Sequence, residues 1–187
     1  MLQTISIFIY IAWIGSEILF NRLLRSGQLD MKNTDKKSLP LIWITIIIAM
    51  TTGVYASMKI NFPVFPHHKT SSTGLSLIVL GILFRLYAIY SLGKYFTVDV
   101  TIRKDHQLKQ DGIYGILRHP SYLGSLVSFI GFGLVLNNWV SMAIIVVPII
   151  AAFLNRISIE EKTLSDRFGN HWKEYSRRTK KLIPFLY

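Results

Sequence analysis

A chain of 187 residues that is 51% hydrophobic and 17% charged, with a mean hydropathy of +0.39, is too apolar for an ordinary soluble domain. Its 21 Lys and Arg against 10 Asp and Glu give a net charge of +11, which suggests nucleic acid as a partner until the placement of those charges is read. Cysteine is absent, which excludes a disulfide framework, a thiolate nucleophile and a cysteine metal site; no HxxxH or HExxH spacing offers histidines to a metal instead.

Leu2–Leu24 is the first apolar run, with Glu17 as its only acidic residue. Arg22 and Arg25 close this run rather than open it, the reverse of a secretory signal, so the spacing predicts a retained helix that starts outside. Residues 25–38 are a polar, basic loop, and Leu39–Ile60 is a second span with Pro40 tolerated in its first turn. The 61–73 segment holds two prolines and reads as a loop whose Ser and Thr residues cap a helix beginning at Gly74. That third span, Gly74–Leu92, carries Arg85 about half-way along, a position that must face other helices, water or the interface. Phe96–Arg103 alternates as a short extended segment does.

Pro120–Leu136 and Val140–Leu154 then form a tight hairpin through Asn137, Asn138 and Trp139, with Trp139 as an interfacial anchor and Pro148 as a kink. The tail, 155–187, is polar and basic, and Leu164, Phe168, Trp172 and Tyr175 recur at helical spacing, an amphipathic pattern that Gly169 divides in two. The expected fold is therefore an all-α integral membrane protein, one membrane-embedded domain over 1–187. About five transmembrane helices lie near 2–24, 39–60, 74–92, 120–136 and 139–156, followed by C-terminal amphipathic helices. With the N-terminus outside, every basic residue except Lys59, Lys69 and Arg85 falls on the cytoplasmic side or in its flanks. That is the positive-inside pattern, so the charge faces anionic lipid and the partner is the bilayer, with no nucleic acid and no metal.

Chemistry concentrates in two places on that same face. The stretch DHQLKQDGIYGILRHPSYLG, residues 105–124, packs two histidines, two tyrosines, an arginine, a proline and three glycines between hydrophobic spans. Irregular polar backbone at a membrane is tolerated where it is buried in protein or lines a wet cavity, so this stretch is read as the wall of a cytoplasmic cofactor pocket. The second place is Arg156-Ile-Ser-Ile-Glu160-Glu161 at the end of the last span, where Arg156 and Glu160 share a helix face.

Together, HQLKQDGIYGILRHPSYLG and NRISIEEKTLSDRFGNHWKEYSRRTKKLIP, preceded by GILFRLYAIYSLGKYFT, resemble the isoprenylcysteine carboxyl methyltransferase family over roughly residues 74 to 184. Similar RHP-type blocks occur in phospholipid N-methyltransferases and some membrane sterol reductases. The resemblance implies a membrane methyltransferase that uses S-adenosyl-L-methionine without a Rossmann fold and methylates a lipidic or prenylated acceptor. It further implies that His106, Gln107, Leu108 and Lys109 form a cofactor-binding strand. Tyr114 and the block Arg118, His119, Pro120, Ser121 and Tyr122 continue the pocket, and Glu160 holds the cofactor from the last helix. Arg156 faces the acceptor's carboxylate as the catalytic residue. Lys109 departs from the apolar residue expected there, and Asp99 stands where a relative has an amide.

The alternatives are methylation of a phospholipid amine or a small thiol by the same architecture, a sterol-type reductase using a nicotinamide, and a non-enzymatic lipid-binding scaffold. The compact chain points to a prokaryotic cell membrane; a eukaryotic enzyme of this kind belongs in the endoplasmic reticulum.

Overall fold

In the computed structural model, which describes residues 2–23, 37–65, 70–96 and 107–184, the apolar runs are helices. They are α1 (Leu2–Leu23), α2 (Ser38–Lys59), α3 (Thr70–Leu92), α4 (Pro120–Val135), α5 (Trp139–Phe168) and α6 (Asn170–Arg178), with short 3-10 turns at Gly93–Tyr95 and Gly112–Gly115. Among the described residues, α2, most of α3 and α5 are long and apolar enough to cross a membrane; α1 and α4 carry the shorter apolar stretches Ser6–Leu19 and Pro120–Val135. The outward faces remain apolar, with Phe8, Ile47, Leu83 and Val147 all more than half exposed. Side chains of this kind are stable outside only against lipid, and the protein is an integral, multi-pass membrane protein.

Two helix pairs organise the bundle. α3 packs on α4 backbone to backbone, because glycines face each other seven residues apart on both helices. A Cβ on Gly81 would fall 2.6 Å from the Gly124 carbonyl oxygen, and one on Gly74 would fall 2.6 Å from that of Gly131. Small residues permit this approach where lipid supplies no hydrophobic force between helices. α2 pairs with α5 and is tied at both ends: Arg156 Nη1 donates to Ser38 Oγ at one end, and Asn138 Nδ2 donates to the Ile60 carbonyl at the other. Asn138 also caps α5, its Oδ1 accepting from the Ser141 amide at 3.0 Å. α1 joins the bundle through Trp13, which is 3% exposed and meets Phe129 edge-on at 5.1 Å.

Two sequence expectations shift. The third helix begins at Thr70, so the Ser and Thr residues before Gly74 form its first turn rather than cap it. The last span does not stop near Leu154 or Arg156: α5 contains Pro148 and continues to Phe168, because neither Gly nor Pro follows Leu154 before Gly169. Gly169, at φ +52°, then ends α5 and starts α6. At about 1.5 Å per residue such a helix is on the order of 45 Å long, more than a bilayer core of about 30 Å, so its last turns stand clear of the hydrocarbon. Beyond Phe96, the extended segment expected over 96–103 lies outside the described residues, as does Asp99.

The tail folds back on the loop before α4. The Arg118 amide donates to the Lys180 carbonyl at 2.8 Å, Lys180 returns the bond to Ile116 at 2.9 Å, and the His119 amide reaches the Lys181 carbonyl at 3.2 Å. Leu182 beyond this latch is 2% exposed. The result is a polar platform closing one end of the helix bundle.

Candidate active site

Beneath that platform lies a cavity of about 230 Å³ whose walls change character along its length. Its polar end is built where α4 begins and where α5 leaves the membrane. Pro120 fixes the first turn of α4, with His119 as the residue before it, and from there His119 and Tyr122 turn toward the face of α5 that carries Arg156, Glu160 and Glu161. The Tyr122 hydroxyl donates to Glu160 Oε1 at 2.6 Å and accepts from Arg156 Nε at 3.0 Å. Arg156 Nε also lies 3.4 Å from Glu160 Oε1, and the residue is 2% exposed. His119 sits between the two carboxylates, Nδ1 3.4 Å from Glu160 Oε2 and Nε2 3.3 Å from Glu161 Oε1. Arg118 Nε at 2.8 Å and Lys181 Nζ at 3.1 Å complete the shell around Glu161.

Burial disfavours charge on His119, but the hydrogen bonds and charges of Glu160 and Glu161 outweigh it and raise its pKa above the usual 6.5. The Tyr114 phenol is pushed upward, first by burial and then by nearby Tyr175 and Glu160. It therefore stays a donor, bonding the Ala88 carbonyl at 3.1 Å, while Tyr175 donates to the Tyr114 carbonyl at 2.8 Å. These two bonds fix the 3-10 turn Gly112–Gly115 between α3 and α6.

The predicted site residues mostly converge. Leu108, Lys109, Tyr114, Arg118, His119, Ser121, Tyr122, Arg156 and Glu160 all line the cavity. Arg118 does so with its donors turned to protein: besides Glu161 it holds the carbonyls of Ser176 and Thr179, which makes it an anchor for the tail. Gln107 is exposed and Pro120 is buried in its helical turn; neither belongs to the cavity wall. His106 lies outside the described residues.

The sequence reading missed the first two helices. Trp13, Ile14 and Glu17 from α1, and Leu39, Ile42, Trp43, Ile46 and Met50 from α2, form the apolar part of the wall with Phe129 and Phe153. Arg85 and Ser125 also line it, and Arg85 Nη2 pairs with Glu17 Oε2 at 3.0 Å. The available signal was that Glu17 and Arg85 are ionisable residues placed inside apolar runs, where charge is costly and seldom idle. Among the described residues no group of three or more His, Asp or Glu side chains is disposed to hold a metal ion.

The chain is similar to known proteins. The family model described as "Isoprenylcysteine carboxyl methyltransferase (ICMT) family" matches residues 74–166. Protein-S-isoprenylcysteine O-methyltransferase B of Arabidopsis thaliana is 36% identical over 144 residues, covering 74% of this chain and 73% of that protein. The protein-S-isoprenylcysteine O-methyltransferase of Schizosaccharomyces pombe is 34% identical over 71% of this chain and 56% of its own length. A solved structure of the eukaryotic intramembrane Ras methyltransferase ICMT superposes with a TM-score of 0.67 at 25% identity, covering 97% of this chain and 64% of that one.

Proposed function

Because the chain belongs to the isoprenylcysteine carboxyl methyltransferase family, we propose that it transfers a methyl group from S-adenosylmethionine to the carboxylate of an isoprenylcysteine-like lipidic acceptor. The observation that carries this reading is the cavity itself, which joins a charged end at the membrane face to an apolar stretch between α1, α2 and α4. A soluble acceptor would need no apolar stretch, and a purely hydrocarbon ligand would need no charged end.

The donor set at the polar end fits the cofactor. Glu160 offers a carboxylate to a cationic, hydroxyl-bearing group, Tyr122 and Ser121 offer hydroxyls, and Tyr114, Trp172 and Tyr175 line the same region with aromatic rings. Leu108 and Lys109, in backbone without regular structure, offer amide and carbonyl groups along one wall. These residues would hold the cofactor, which when bound supplies an electrophilic methyl group on a sulfonium.

The chain's own part is positioning, desolvation and charge. Arg118, His119, Arg156 and Lys181 outnumber Glu160 and Glu161 at this end, so the end favours an incoming carboxylate. Arg156 stands where the charged and apolar walls meet, between Tyr122 and Ser38, and orients that carboxylate. An ionised carboxylate needs no general base. An amine or thiol acceptor would need one, and His119, held toward its protonated form by two carboxylates, serves that role poorly. This observation favours the carboxyl acceptor over the amine and thiol alternatives.

The experiment is transfer of a labelled methyl group by purified protein to a prenylated cysteine derivative, compared with a phospholipid extract. Label is expected in the base-labile ester of the cysteine derivative. Arg156→Lys should lower that transfer by about tenfold or more, since a point charge replaces a planar fork, while cofactor affinity stays within roughly threefold, below about 1 kcal/mol. Loss of cofactor binding in Arg156→Lys would make the residue part of the cofactor site instead. Incorporation into phospholipid alone would reassign the acceptor.

A further inference from the structure

The guanidinium of Arg156 is held from two helices other than its own. Nε donates to the Tyr122 hydroxyl on α4 at 3.0 Å, and Nη1 donates to Ser38 Oγ at the start of α2 at 2.6 Å. Arg156 is 2% exposed and Ser38 is 3% exposed. Arg156 and Leu39 belong to the cavity wall, whereas Ser38 between them in space and sequence does not. Any effect of Ser38 on the acceptor therefore passes through the arginine.

A guanidinium is planar, and it grips a carboxylate by two parallel hydrogen bonds that lie in its plane. Held at Nε alone, that plane can still swing about the outer torsions of the side chain. A second bond at Nη1, made to a different helix, removes this freedom. Glu160, one turn further along α5, lies 3.4 Å from Nε and attracts the same nitrogen as Tyr122 does. Ser38 opposes that attraction from α2, and the group stays at the level where the charged and apolar walls meet.

The bond also fastens α2 to α5, but a second tie does so as well. Asn138 Nδ2 donates to the Ile60 carbonyl at the far end of the pair, about 27 Å from Arg156 along α5 at 1.5 Å per residue. Only the tie at Ser38 engages a group that faces the cavity. α2 also supplies Leu39, Ile42 and Ile46 to the apolar wall. One helix thus carries both the surface for the acceptor's tail and the contact that aims the arginine at its carboxylate.

We propose that Ser38 is a positioning residue for methyl transfer, its hydroxyl fixing the plane of the Arg156 guanidinium for the acceptor's carboxylate. α2, which lies outside the residues 74–166 that the family model matches, thereby sets the geometry of the reaction as well as the shape of the cavity. The inference rests on the carboxyl-methylation reading above and extends it to a residue off the cavity wall.

The test uses purified protein, S-adenosylmethionine and S-farnesylated N-acetylcysteine. Ser38→Ala is expected to lower kcat by about tenfold, as misplacing a substrate-orienting group does, with cofactor affinity by calorimetric titration unchanged. In Arg156→Lys, whose ammonium has no plane to orient, adding Ser38→Ala should change kcat by less than about twofold. Asn138→Ser keeps an oxygen to cap α5 but is too short to reach Ile60; it should lower the melting temperature and leave kcat within about twofold, since it loses a hydrogen bond remote from the site. Unchanged kcat in Ser38→Ala, loss of cofactor affinity in that variant, or the same tenfold loss in the Arg156→Lys background overturns the positioning role and leaves the methylation reading standing. So does a loss of kcat in Asn138→Ser equal to that in Ser38→Ala, because any loosening of the helix pair would then suffice. Failure of the wild type to methylate the acceptor overturns both.

Discussion

His119 is held on both ring nitrogens by carboxylates, at 3.4 Å from Glu160 and 3.3 Å from Glu161. These contacts raise its pKa above the usual 6.5 against the opposing effect of burial, and the sign of the pH dependence follows. A proton is bound more tightly in the folded protein than in the unfolded chain, so the stabilisation is complete below about pH 6.5 and is lost as pH rises through the raised folded value. Thermal unfolding in detergent between pH 6 and 9 should show this loss, and His119→Gln should flatten the profile; an unchanged profile would mean that the ring carries no proton in the fold. Glu160 differs in kind because it meets three partners, Tyr122, Arg156 and His119. Glu160→Gln keeps the shape but removes the charge, and should weaken S-adenosylmethionine binding by about 1–3 kcal/mol, the cost of losing a charge-assisted hydrogen bond. Isothermal titration measures it, and unaltered affinity would remove Glu160 from the cofactor site.

Helices, not single side chains, set how closely these groups meet. The start of α4 reaches α5 because α4 is itself pinned against α3 by the facing glycines. A Cβ on Gly81 would stand 2.6 Å from Gly124 O and 2.7 Å from the Ser128 amide nitrogen, both backbone atoms that cannot turn aside. Gly81→Ala should therefore force the two helices apart and cost about 1–3 kcal/mol, as overpacking does. Gly15→Ala, with nothing within 4 Å of its Cβ, is the matched control, and the two melting temperatures should differ by several degrees. This scale also shows what could be read in advance. The helices themselves were legible, since apolar runs between Pro, Gly and polar segments mark their own ends. The charged stretch at 105–124 and Arg156–Glu161 were legible because such residues are costly at a membrane face. The end of α5 was not, since Asn155–Phe168 is polar enough to read as a separate tail until its contacts are seen. Nor was the role of α1 and α2: Ser38 meets Arg156 across 118 positions, and no local periodicity encodes a pairing at that distance.

At the scale of the whole molecule, the bundle has two unlike ends, and the pairing of α2 with α5 says which residues belong to each. Ser38 and Arg156 meet at one end, together with the platform, the tail latch and the basic residues of α6. Ile60, Phe62 and Phe65 meet the Asn137–Trp139 turn at the other, where Trp139 donates its amide to Phe62 at 3.0 Å. Basic residues crowd the first end, while Lys59 is the described cation at the second. A cytoplasmic placement of the first end therefore agrees with the positive-inside rule, in a prokaryotic cell membrane and in the endoplasmic reticulum alike. The natural absence of cysteine makes the orientation directly measurable with one introduced thiol at a time. Gln110 is exposed on the platform and Phe62 is 56% exposed on the opposite loop. In intact cells a membrane-impermeant maleimide should label Phe62→Cys and spare Gln110→Cys, and opening the cells should add the second signal. Labelling of Gln110→Cys from outside would invert the molecule, placing the proposed cofactor end on the side where S-adenosylmethionine is not made, and the proposed reaction could not proceed in that orientation.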